Sequence, residues 1–212
     1  MKPSRTNRLA LSAALSLAGP MALSALLACS SGQPAGQHSA TVAAVDRPPT
    51  VLRWVPFNGV DLPVTDQGPR SLDGALARGF DHGPAGAALA AIHSTVRMSL
   101  ATDNQWARVG QHMLAPGPGR DHWATLRLQI SITSPPTRDI PTLLGYRITH
   151  YTSAAADVEI YSLFPDNSLT CNHAQVIWHD EDWRLLLPED PHTNPISTVD
   201  LPPAEMVALT PR

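Results

Sequence analysis

Tyr146-Arg147-Ile148-Thr149-His150-Tyr151-Thr152, Asp157-Val158-Glu159-Ile160-Tyr161-Ser162-Leu163-Phe164 and Leu169-Thr170-Cys171-Asn172-His173-Ala174-Gln175-Val176-Ile177-Trp178 are three strand-like runs in close succession. Each is rich in β-branched and aromatic residues and has the length of a strand. Pro165-Asp166-Asn167 makes a turn between the second and third runs, and His179-Asp180-Glu181-Asp182 makes the next. Trp183-Arg184-Leu185-Leu186-Leu187 then supplies a fourth run. Sequential strands joined by tight turns predict an antiparallel meander.

Upstream the period changes. Pro84 suits a first helical turn, and Leu89, Ile92, Val96 and Leu100 follow at helical spacing. The alanines at 85, 87, 88, 90 and 91 permit close packing. His93 and Arg97 interrupt the run, which is too short to span a bilayer. Thr102-Asp103 reads as the cap of a second helix carrying Trp106, Val109, Met113 and Leu114, stopped by Pro116-Gly117-Pro118-Gly119. Residues 123–133 fit two patterns. Leu126, Leu128, Ile130 and Ile132 alternate with polar residues as in a strand, while the composition also allows a helix. Earlier still, Val51 to Val55 and the pieces ending at Gln67-Gly68-Pro69 read as short extended segments joined by turns. The expectation is an α+β domain, with N-terminal helices packed on one face of a curved antiparallel sheet.

The chain opens with Lys2, Arg5 and Arg8, followed by an apolar run that ends in Leu26-Leu27-Ala28-Cys29. This is the anatomy of an export signal closing on a lipobox, with Cys29 as the acylated residue of the mature chain. The predicted organisation is a signal peptide over 1–28, a flexible tether over 29–50, the α+β domain over 51–189, and a proline-rich tail over 190–212. Val207-Ala208-Leu209 could return that tail to the sheet edge. The expected location is the extracytoplasmic face of the cell membrane.

Composition excludes several chemistries. Lys2 is the only lysine among 212 residues, so the mature chain has no amine side chain for a Schiff base, a Ser-Lys pair or a P-loop. Removal of residues 1–28 leaves 12 basic against 18 acidic residues, with no basic cluster to hold a phosphate backbone, so no nucleic-acid partner is expected.

Three segments carry a resemblance. They are Trp54 with Gly59, Leu62-Pro63 and Gly68-Pro69; Gly79-Phe80 with Gly83-Pro84 and the 86–91 run; and Val176-Ile177-Trp178 with Asp182-Trp183-Arg184-Leu185 and Pro188. The pattern resembles a family of actinobacterial envelope proteins often encoded in conjugative or other mobile elements. The order of helices then meander is similar to cystatin-like and nuclear-transport-factor-2-like folds, which include scaffolds of conjugative secretion machines. The resemblance implies a scaffold rather than a catalyst, with other envelope proteins as partners. It transfers no functional residue, and Glu181 replaces the glycine usual in the last hairpin turn.

Cys171 with Arg184 thirteen residues on, and His112 or His122 upstream, echoes a sortase-like transpeptidase, but the same spacing arises from two adjacent strands. His173 and His179 share a strand face yet stand about 20 Å apart at strand rise, too far to share an ion, so no metal and no cofactor is expected. The acidic turn at 179–182 lacks an EF-hand spacing. Trp106, Trp178 and Trp183 are the candidate lining of a pocket for an apolar or glycan ligand, their plainer role being to pack helices on the sheet. The leading reading is a non-enzymatic lipid-anchored scaffold. The alternative is a small-ligand-binding lipoprotein, and the remote one a cysteine transpeptidase.

Overall fold

A computed structural model describes residues 44–190 and 192–209. Cys29, the signal peptide and the tether up to residue 43 lie outside the described residues. The described residues build two hairpins, then three helices, then the main sheet. In the first hairpin, β1 (Val51–Phe57) pairs with β2 (Val60–Thr65). Asn58 and Gly59 join them, both at positive φ, the geometry a two-residue hairpin turn requires. The second hairpin pairs β3 (Ser71–Asp73) with β4 (Leu76–Arg78). The helices therefore sit in mid-chain rather than at the front of the domain.

Helix α1 (Pro84–Leu100) starts on Pro84 as its spacing requires. It is buried continuously from Gly86 to Ser94, so it is a central helix and not a surface one. Its alanines at 87, 88, 90 and 91 are all fully buried. Small side chains there let the sheet and the β2 and β4 segments close on the helix from several sides. His93 and Arg97 are buried within this packing. His93 donates from Nε2 to the Pro63 carbonyl at 2.9 Å and accepts from Arg97 Nε at 3.4 Å. Arg97 also reaches the Gly74 carbonyl and lies 4.4 Å over the Phe57 ring. Burial pushes the His93 imidazole down to about 3, so it is neutral and serves as a strut between α1 and β2.

The main sheet runs β10-β5-β6-β7-β8, antiparallel and open, with β9 also on β7. Its strands are β5 (Thr142–Tyr151), β6 (Ala155–Leu163), β7 (Leu169–His179), β8 (Asp182–Leu186), β9 (Ile196–Thr198) and β10 (Val207–Ala208). The meander follows the strand-like runs closely. Val207-Ala208 does return to the edge, pairing with Tyr146 and Gly145, and β9 adds a pairing that the proline-rich composition hid. Residues 44–50, assigned to the tether from composition, include a buried Pro49 and a Val45 packed against the core. No helix among the described residues is long and apolar enough to cross a membrane.

One local expectation is corrected and one open alternative is decided. Helix α2 (Trp106–Met113) is not capped by Thr102 or Asp103. Gln105 precedes it, and its side chain accepts from the Thr102 N–H, while the Asp103 carboxylate takes bonds from Arg127, Ser131 and the Ile132 N–H. Residues 123–133 form no strand. Helix α3 (Pro118–Arg127) occupies the first part, and Asp103 ties down the irregular remainder. The alternation lacks a neighbouring strand to pair with, so Leu128 and Ile130 stay exposed. At the β7–β8 turn Asp180 and Glu181 both hold positive φ, so Glu181 adopts the left-handed geometry that glycine would supply.

Candidate functional site

The sheet's two faces differ because strand side chains alternate. On β6, Ala156, Val158 and Ile160 enter the core, while Asp157, Glu159 and Tyr161 point to the opposite face. Register carries this across the sheet. Glu159 stands opposite Arg147 of β5 and His173 of β7, and Tyr161 stands opposite Cys171. Asp157 stands opposite Gln175, which donates to it at 2.8 Å.

Around Glu159 these residues gather into one group, beside the separate Asp157–Gln175 pair. Arg147 donates from Nε to Glu159 Oε2 at 2.8 Å with its Nη2 also 2.8 Å from that oxygen, and the Tyr161 hydroxyl donates to the same oxygen at 2.5 Å. The Glu159 side chain is only 12% exposed. Its other oxygen, Oε1, is 3.8 Å from His173 Nδ1, and His173 Nε2 is 3.7 Å from Cys171 Sγ. The Arg147 bond holds the Glu159 carboxyl below its ordinary range despite partial burial. Burial, reinforced by the bond to Glu159, pushes the Tyr161 phenol up. Burial and the nearby Glu159 charge push the Cys171 thiol up, so without a further partner it is a thiol rather than a nucleophilic thiolate.

An open groove of about 660 Å³ runs beside this network, with Thr149, Asp157, Glu159, His173 and Gln175 on the sheet side. Leu187, Pro188, Glu189 and Thr193 to Pro195 form the facing wall.

The three candidate tryptophans fall into two places. Trp178 and Trp183 meet edge to face at 5.4 Å as a cross-strand pair. His82 stacks on Trp178 at 3.9 Å and donates from Nε2 to the Ser153 carbonyl at 2.5 Å. Trp183 is 2% exposed, and its Nε1 donates to the Asp81 carbonyl. Asp182 beside it accepts from the Gly79 and Phe80 N–H groups, so this hairpin clamps the lead-in to α1. Trp106 instead meets Trp123 at 5.9 Å between α2 and α3, where Gly110 leaves room for the Trp123 ring.

The cysteine–arginine pair is not assembled. Arg184 stands opposite Ile177, six residues along β7 from Cys171, and bonds Asp180 and the Gln111 carbonyl. The imidazole beside the thiol is that of His173, not His112 or His122. His173 and His179 remain six residues apart on β7, and His179 lies 3.3 Å from Asp180. The grouping of Glu159, Cys171 and His173 was missed from the sequence. The signal was present in part, since Cys171 and His173 are two apart on one strand face, but Glu159 joins them only through the register of the 164–168 connection.

A family model described as a domain of unknown function (DUF8175) matches residues 20–202, and the chain belongs to that family. No curated protein and no solved structure matches the chain.

Proposed function

We propose that this member of the DUF8175 family is a lipoprotein held through Cys29 at the extracytoplasmic face of the cell membrane, where its domain is a non-enzymatic scaffold for other envelope proteins. The lipobox at Leu26 to Cys29 supports the location. One observation carries the scaffold reading: the main sheet packs one face on α1 and leaves the other open, polar and charged. A rigid sheet presenting ordered polar side chains suits a partner surface that must be recognised by pattern rather than by bulk apolarity. Helices on one face of an antiparallel meander support a cystatin-like or nuclear-transport-factor-2-like affiliation. A place in a conjugative apparatus rests on the resemblance of the sequence alone.

The test has two arms. Labelled palmitate is expected to enter the wild-type chain and not Cys29→Ser. Photo-crosslinking residues at the exposed positions Thr149 and Gln175 are expected to give adducts with an envelope protein in intact cells, while one at exposed Arg108, away from this face, gives none. Label retained in Cys29→Ser removes the anchor. Adducts that are absent, or equal at all three positions, remove the scaffold face.

A further inference from the structure

We propose that Glu159, Cys171 and His173 form a zinc-binding site on the open face of the sheet, with the fourth coordination position turned toward the groove and filled by water. One donor atom from each residue lies within 4.8 Å of the other two. Zinc bonds of about 2.0–2.3 Å in tetrahedral geometry place donors roughly 3.3–3.6 Å apart. His173 now faces Cys171 with Nε2 at 3.7 Å and Glu159 with Nδ1 at 3.8 Å, so binding needs a ring turn that offers one nitrogen to the ion shared with both. His173 can supply it, because its side chain is 56% exposed and its ring is free to turn.

The surroundings fit a metal ligand set. Glu159 Oε2 already takes bonds from Arg147 and Tyr161, which orients the carboxylate and leaves Oε1 facing the other donors. Ligating carboxylates are held in this way by outer partners. The Cys171 thiol is 3% exposed, yet it is on the sheet face away from α1, beside a phenol, a carboxylate and an imidazole. A cysteine that only filled space would be expected among the apolar residues on the other face. All three ligands sit on paired strands, a more rigid mounting than a loop. One sulfur, one nitrogen and one oxygen make a borderline set that suits zinc, whereas calcium and magnesium need several oxygens.

The balance of the binding step is simple. Glu159 enters as the carboxylate and His173 offers a neutral nitrogen lone pair. The Cys171 thiol forms its bond to the ion by releasing one proton to solvent. No oxidant or reductant is involved. The inference does not depend on the scaffold reading, since it is read on purified protein and the scaffold reading in cells.

The full chain, extracted in detergent and stripped with a chelator, is titrated with Co²⁺ and then with Zn²⁺. The expected result is one Co²⁺ per chain with a thiolate-to-cobalt charge-transfer band that Zn²⁺ displaces. His173→Ala and Cys171→Ser each abolish the band. Tyr161→Phe, which loosens Glu159 without removing a ligand, weakens zinc by about tenfold or more. If Cys171→Ser does not fold, His173→Ala decides, because an exposed residue can be removed without opening the core. Cobalt binding without a thiolate band, or zinc affinity unchanged in His173→Ala, overturns the proposal.

Discussion

The two faces of the β5–β8 sheet are made by neighbouring residues of the same strands, yet different forces act on them. Toward α1 stand Tyr146, Ile148, Val158, Ile160, Val176, Trp183 and Leu185, all buried. Away from it stand Arg147, bonded to Glu159, and Asp157, bonded to Gln175, with Asp157, Glu159, His173 and Gln175 lining a groove. The inner face is held by removal of apolar surface from water and by close packing. The outer face is held by geometry, because hydrogen bonds and ion pairs near solvent add little net stability. One face therefore secures the fold, and the other is free to carry binding chemistry.

This contrast can be broken most sharply at Trp183. Trp183→Ala empties a fully buried site on the inner face of β8 and removes the bond to Asp81, an expected loss of about 3–5 kcal/mol in denaturant unfolding. Gln175→Ala on the outer face should stay within about 0.5 kcal/mol. Equal losses at the two positions would show that the faces are not energetically distinct.

A second probe uses pH. His93 is held neutral with its pKa depressed to about 3, whereas an unfolded histidine titrates near its ordinary value of 6.5. Above that value neither state takes the proton, and the full stability is present. As pH falls from 6.5, the unfolded chain binds a proton the folded one refuses, so stability drops by about 2 kcal/mol by pH 5. The lowered Glu159 carboxyl acts only further down, because its contribution is present above the ordinary carboxylate range and is lost below it. His93→Gln keeps a donor for Pro63 and an acceptor for Arg97, and should flatten the curve between pH 6.5 and 5. An unchanged slope in that variant would place the sensitivity elsewhere.

The smallest effect is expected at Arg147. Arg147→Gln should cost under about 1 kcal/mol, since its side chain is 36% exposed and the pair is screened. It should nevertheless raise the Glu159 pKa toward its ordinary range, measurable by NMR titration. A large loss of stability would mean that the outer face also holds the fold.

Much of this architecture was legible. The strands from 142 to 187 and the α1 helix declare themselves through local periods, and Pro84 and Asn58-Gly59 mark where elements begin or turn. What local pattern left open or misassigned has physical causes. Leu126 to Ile132 alternates like a strand, but a strand exists only where a partner supplies hydrogen bonds, and Asp103 secures that segment instead. The Thr102-Asp103 cap failed for the same reason, since Asp103 serves α3 and its exit rather than α2. Residues 44–50 and 196–198 have tether-like composition, and contact with the domain overrides it.

By itself the sequence determined what depends on near neighbours: which runs form strands, where the α1 helix and its apolar stripe lie, and that alternate strand residues face opposite ways. Only the tertiary structure decided that Glu159 meets Cys171 and His173, and that Arg184 does not. Side-chain alternation repeats every two residues and can be read along one strand. Register between strands depends on the five-residue connection at 164–168 and on packing across the whole sheet, and a slip of one residue would have sent the same side chains to the other face.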